Sequence, residues 1–344
     1  MGILPKIILF AVIALAVFSS FASSQTDVKA ELEKVAAEIN KINAEMQAAT
    51  DAGDPDKYKE LNAQREKLVQ RLNELQEAQM TEKAGKDNEI RAKAEFNQGN
   101  SLYRAGNYKG ALDCYKKSLE LDPPNPTAHY MMGVCYQMQK DLGQAKKSYE
   151  QALKVDSSFI MALVPLGNIA AGEGNEAEAI NYYKKAVEQD STQFKAFYGL
   201  GNVHFKAHRY PEAVQAYQNA VKIDETYADA WIGLGRALQA QEKTSEAIEA
   251  FVKGVARDVK SYLGFYLLAE CYNAAGQSQK ALEAADKALK IKPSYAPASY
   301  EKGIALMNLG RKQDAVKALE DAKQDRAWRE RAEYFIKKIQ GKIP

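Results

Sequence analysis

Cysteine is scarce, with three in 344 residues, so no disulfide framework can hold this fold and the odd count leaves one thiol over. Histidine is equally scarce, also three, which leaves little material for a metal site or for acid–base chemistry near neutral pH. Charge of one sign is not in excess. Forty-seven basic residues against 45 acidic give +2, and no pull towards nucleic acid follows. Beyond the first two dozen residues no long apolar run exists, so the mature chain has no membrane span. Glycine-rich phosphate loops, nucleophile elbows and metalloprotease helices are missing too. No cofactor and no metal are expected. What remains, 27% charged and 46% hydrophobic, is the composition of a folded protein.

Residues 1–24 stand apart. Lys6 supplies a positive charge, Ile7 to Phe18 form an unbroken apolar run, and Ser-Ser-Phe-Ala-Ser-Ser follows before Gln25. This is the order of a secretory signal cleaved after Ala22 or Ser24; the competing reading is an uncleaved anchor. The chain is expected to be exported, periplasmic or secreted, or tethered only at its start.

Over 25–80 two heptad seams flank a break. The first runs Val28, Leu32, Val35, Ile39, Ile42, Met46 and Ala49, in alternating steps of four and three. Asp51-Ala-Gly-Asp-Pro55 ends it, since proline lacks the amide a continuing helix needs. The second runs Tyr58, Leu61, Arg65, Leu68, Leu72 and Leu75. Matched seams around a short turn predict a coiled-coil helical hairpin. A parallel homo-oligomer through residues 27–80 and a solvated spacer are the alternatives. Residues 81–91, with Lys83, Gly85 and Lys86, read as a linker.

From residue 92 the chain repeats every 34 residues without an insertion. Gly99, Gly133, Gly167, Gly201, Gly235 and Gly303 share one register, with Ala269 in the one missing place. Ala111, Ala145, Ala179, Ala213, Ala247, Ala281 and Ala315 form a complete second series. Tyr115, Tyr149, Tyr183, Tyr217 and Phe251 form a third, which weakens to Ala285 and Leu319. This pattern resembles the tetratricopeptide repeat, in seven units over 92–329. The resemblance implies an all-α fold, an α-α superhelix in which each unit is a helix pair that stacks on its neighbours. Residues 327–344, with Trp328, Ala332, Phe335, Ile336 and Ile339 on one face, read as a capping helix.

Little in the chain suggests chemistry. His204 and His208 are four apart, but the first sits at a packing position and the second where other units carry a loop glycine. Cys135 and Cys271 occupy equivalent helical places as small buried side chains, and a Cys114–Cys135 bridge between adjacent units is the other option. The repeats, the heptads and the signal use up the length, so no catalytic domain fits and an enzyme is not expected.

One surface looks functional. On the first helix of each unit, rotated from the core stripe, stand Phe96, Tyr130, Tyr198, Tyr266 and Tyr300, with Asn100, Asn168 and Asn202 one turn later and Tyr103 and Phe205 beyond. Exposed rings in such number need a cover. The resemblance implies that this face lines a concave groove for a protein or peptide partner, the asparagine amides donating to and accepting from its backbone. The bland alternative is that the rings pack against the neighbouring unit. The clamp for chaperone carboxylates is not implied, because Phe96, Met131, Met161 and Pro165 stand where its basic and amide residues would be. The expected function is a non-catalytic protein–protein interaction scaffold of the cell envelope. A periplasmic chaperone or assembly factor for unfolded clients is the alternative, and a purely architectural spacer a third.

Overall fold

The computed structural model describes residues 25–343, so the signal-like segment lies outside the described residues. Among these there are sixteen helices and no strand. The chain divides into two compact bodies, Met1–Ser101 with Lys116–Pro123, and Leu102–Tyr115 with Pro124–Pro344.

In the first body, α1 (Gln25–Asp51) turns back through Gly53, whose φ of +69° is the left-handed conformation that glycine accepts without strain. Helix α2 (Pro55–Arg104) then runs antiparallel to it. Met46 and Ala49 bury against Leu61 near the turn, and Arg71 reaches Glu31 at 3.0 Å nearer the open end. Near the turn and at this ion pair the two helices meet within one chain. The linker expected over 81–91 is not a break: α2 passes through it as helix. A lone Gly85 costs a helix only about 1 kcal/mol relative to alanine. Its neighbours are helix formers, and Lys86 pairs with Glu82 and Lys93 with Glu89 one turn away. Further on, the Ser118 hydroxyl donates to the Ala92 carbonyl at 2.9 Å.

In the second body, helix pairs follow the 34-residue period. After α3 (Tyr108–Leu121) come α4 (Pro126–Met138) and α5 (Leu142–Val155), then α6 (Leu163–Glu173) and α7 (Glu176–Gln189). The next pairs are α8 (Phe194–Lys206) with α9 (Tyr210–Ile223), and α10 (Ala228–Ala240) with α11 (Thr244–Arg257). The last are α12 (Tyr262–Ala274) with α13 (Ser278–Ile291), and α14 (Ala296–Asn308) with α15 (Lys312–Lys323). Neighbouring first helices from α6 to α14 touch one another more than neighbouring second helices do, so the first helices stand on the inside of the curve. Every alanine of the series from Ala111 to Ala315 is fully buried. Finally α16 (Arg329–Ile339) lays Ala332 and Ile336 on Leu319 and Ala322.

The glycine register has a specific task. Where Gly167 stands, a Cβ would come within 2.5 Å of the Tyr183 ring, and at Gly201 within 2.6 Å of Tyr217. A second glycine closes the other side: Gly199 on Tyr183 and Gly233 on Tyr217, each from the next unit. Each of these two rings thus sits between a glycine of its own unit and one of its neighbour, and both are almost fully buried.

Candidate functional site

Between α6 and α8 the inner face opens into a cavity of about 500 Å³, whose lining includes Asn168, Gly172, Tyr183, Gly199, Asn202 and Lys206. It exists because unit 3 is thin there. Ala171 and Gly172 occupy the places that Phe205 and Lys206 fill in unit 4, and no atom comes within 4 Å of where a side chain on Gly172 would start.

The asparagines are held from below. The Tyr183 hydroxyl donates to Oδ1 of Asn168 and the Tyr217 hydroxyl to Oδ1 of Asn202, each at 2.7 Å. Burial pushes the Tyr183 phenol up to about 12, so it stays a neutral donor. With its oxygen turned to a buried hydroxyl, each exposed amide shows its NH₂ to the groove. This revises the expectation that the amides donate and accept alike: what they present is donors. The Lys206 side chain adds another at the rim, while Glu176, the acid in the lining, is paired with Arg209.

The rings rest on other rings. Tyr130 packs on Tyr149 and Phe159, at 5.6 and 5.8 Å between centroids. Tyr198 lies 5.9 Å from Tyr217 and 5.2 Å from Tyr227, which closes the same unit. Tyr266 meets Tyr295, and Tyr300 meets Trp328 and Phe335. All four are half-buried. Phe205 packs on Tyr210 and carries the Arg236 guanidinium 4.6 Å from its centre. Tyr103 packs on Tyr108. Phe96 and Asn100 belong to the first body, half-buried on α2.

At the far end the packing rule changes in three places at once. Unit 6 has Ala285 where units 1 to 5 have a ring, Ala269 where the other six units have the first glycine, and unit 7 has Glu301 at the position of Gly199 and Gly233. Glu301 is only 6% exposed. Asn273 Nδ2 donates to its Oε2 at 2.8 Å and to its backbone oxygen at 2.9 Å. Burial pushes the Glu301 carboxyl up to about 7; the Asn273 bond pulls against that, and the neighbouring Glu270 adds to it. Sequence reasoning missed Glu301, although the missing ring and the missing glycine were visible signals.

The remaining polar residues are structural. His204 Nδ1 accepts from Arg209 Nε, and His208, with φ of +59°, holds the loop-glycine place and bonds Tyr210. Among the described residues no group of three His, Cys, Asp or Glu is placed to hold a metal. Cys135 and Cys271 are thiols that burial pushes up to about 11 and about 12.

Family models described as TPR repeat match residues 99–140 and 167–207. Models described as tetratricopeptide repeat match 126–159 and 194–227, and 232–296 with 274–332. The chain belongs to the tetratricopeptide repeat family. A curated relative is Superkiller protein 3 of Schizosaccharomyces pombe, 35% identical over 63 residues, which is 18% of this chain and 4% of that protein. The chain thus matches only a small part of that relative's length. Among solved structures, a PilF structure from Pseudomonas aeruginosa aligns with TM-score 0.56 at 17% identity, over 62% of this chain and 96% of that one. The C-terminal part of a TPR protein from Cytophaga hutchinsonii gives 0.55 at 18%, over 68% and 98%. YrrB, described as a TPR protein with an unusual peptide-binding site, gives 0.50 at 21%, over 55% and 99%. These likenesses establish the fold of helix pairs. Tetratricopeptide repeats are, as a family, protein-interaction scaffolds.

Proposed function

We propose that this tetratricopeptide repeat protein is a non-catalytic scaffold that holds an extended segment of a partner protein along its first helices. The carrying observation is the cavity between α6 and α8, where the Asn168 and Asn202 amides are oriented by buried tyrosine hydroxyls and show donors to an open space. A segment in extended conformation has carbonyl oxygens to meet them. The rings around the groove lean on one another, so they shape a fixed surface rather than a loose apolar one. That favours a dedicated partner over the unfolded clients of a chaperone. The signal-like residues 1–24 support work at the cell envelope or outside the cytoplasm. The hairpin of α1 and α2 serves as a coiled coil for docking or self-association.

The test uses Gly172, where an added side chain meets nothing and would fill the cavity. A displayed library of random 12-residue peptides is selected on the full chain, and a selected peptide is then titrated. Gly172→Trp should weaken it at least tenfold without lowering the melting temperature, while Lys184→Glu on the exposed side of α7 should leave it unchanged. A selected peptide indifferent to Gly172→Trp would move the site off the groove.

A further inference from the structure

We infer that the groove surface of units 6 and 7 receives a basic side chain of the bound segment, an arginine or lysine seated against Glu270, Glu301 and Asn273. This rests on the groove reading above and adds the chemistry of the occupant. The observations come from independent groups. Glu301 is a carboxyl buried in a place where two other units keep glycine, held by Asn273 but facing no cation. Asn273 spends its NH₂ on that carboxyl, and its own Oδ1 is buried without a donor. The half-buried Glu270 carboxylate lies beside both, close to the Tyr266 hydroxyl.

Several cations on the elements packed around them are engaged elsewhere, among them Arg311 at the start of α15, which pairs with Asp314, and Lys323 at its end, which pairs with Glu320 and Glu333. Lys302, next to Glu301 on α14, bonds Asp286 of α13 at 2.7 Å. Lys280 and Lys287 of α13 lie over Tyr272 and Phe265, and Arg331 of α16 over Trp328. From α12, the Cys271 thiol is kept neutral by burial. Neither Glu270 nor Glu301 forms an ion pair among the described residues, and the Tyr266 and Tyr300 rings lie near Glu301. A guanidinium brings several N–H donors and a charge, and an ammonium three. Aromatic faces add to the attraction. An acidic residue would instead meet like charge. The two ends of the groove thus differ, donors between units 3 and 4 and acceptors at units 6 and 7, which gives a bound segment a direction.

The arriving cation would also draw the Glu301 proton into solvent, because a nearby positive charge favours the carboxylate. Binding should then release a proton and strengthen as pH rises through neutrality.

The probes are three capped, labelled 12-residue peptides of Ala, Ser, Thr, Asn and Val, identical except for Arg, Gln or Glu at the centre. Their affinities for the full chain are measured by fluorescence anisotropy at pH 6 and pH 8. The Arg peptide should bind at least tenfold tighter than the Gln peptide at pH 8, with the Glu peptide weakest. Glu301→Gln should flatten the pH dependence, and Glu270→Gln with Glu301→Gln should erase the preference for Arg while leaving the Gln peptide as it was. Glutamine has the shape of the protonated acid, so these variants keep the packing. Equal binding of the Arg and Gln peptides, weakened alike by Gly172→Trp, would overturn this inference and leave the groove reading standing. Failure of the Arg peptide to bind, or binding indifferent to Gly172→Trp, would overturn both.

Discussion

A Cβ on Gly199 would stand 2.4 Å from the ring of Tyr183, a residue of the preceding unit, so one unit lacks a side chain where the other has an aromatic one. Gly199→Ala should therefore destabilise the array by about 1–3 kcal/mol, the usual cost of overpacking a closed core. Gly172→Ala, in the same groove but facing open space, should stabilise it by a few tenths to about 1 kcal/mol. Thermal melts of the two variants side by side check both signs, and a common sign would refute the packing account.

Three loops carry ordinary residues in the left-handed region, Lys140 at φ +64°, His208 at +59° and Glu242 at +62°, where Gly106, Gly174, Gly276 and Gly310 serve elsewhere. The left-handed conformation costs an L-residue about 1–2 kcal/mol, and glycine gives back part of that gain as chain entropy. Lys140→Gly and Glu242→Gly should each add about 0.5–1 kcal/mol of stability by chemical denaturation. His208→Gly should gain less, because the bond to Tyr210 is lost.

Asn202 and Tyr217 form a pair that is worse broken than absent. Asn202→Ala leaves a buried hydroxyl without an acceptor, a loss of about 1–3 kcal/mol. Adding Tyr217→Phe should recover most of it. A double-mutant cycle reads the coupling directly, and additive losses would show that the bond contributes nothing.

Glu301 makes stability depend on pH. Its carboxyl titrates near 7 in the folded chain, against an ordinary value of 4.5, so the folded state holds a proton that the unfolded state gives up. The stability associated with that proton is fully present below 4.5 and is lost as pH rises through about 7. The difference between pH 4.5 and pH 9 should approach about 3 kcal/mol at most. Melts of the parent and Glu301→Gln over that range give the test: the variant should gain on the parent above pH 7. Parallel curves would mean that Glu301 is solvated.

The period of 34, the buried alanines and the ring-filled glycines were legible because they restate one geometry from unit to unit, and noise in one unit cannot hide it. The asparagines were misread for a physical reason. Asn168 and Tyr183 are 15 residues apart and meet only after two helices and a turn have folded. In isolation Asn202 looks like a poor helix former with no local task; against Tyr217 it is a cap on a buried hydroxyl. The stretch around Gly85 was misread the other way, because local composition suggested a linker while i, i+4 ion pairs support the helix. Tyr198 stands on the groove face in the sequence, yet its two ring neighbours mean that Tyr198→Ala cannot serve as a clean binding variant.

The sharing of one ring between two glycines also works as a grammar for joining units. Unit 4, residues 194–227, carries Gly201 for its own Tyr217 and Gly199 for the ring before it. A copy of unit 4 can therefore follow itself any number of times. Unit 7 placed after unit 4 would bring Glu301 to the place of Gly233 beside the Tyr217 ring, whereas Tyr115, Tyr149 and Phe251 are already followed by units with Met131, Pro165 and Leu267 there. At the joints after Tyr183 and Tyr217, lengthening or shuffling the array by recombination therefore depends on whether the incoming unit brings a glycine.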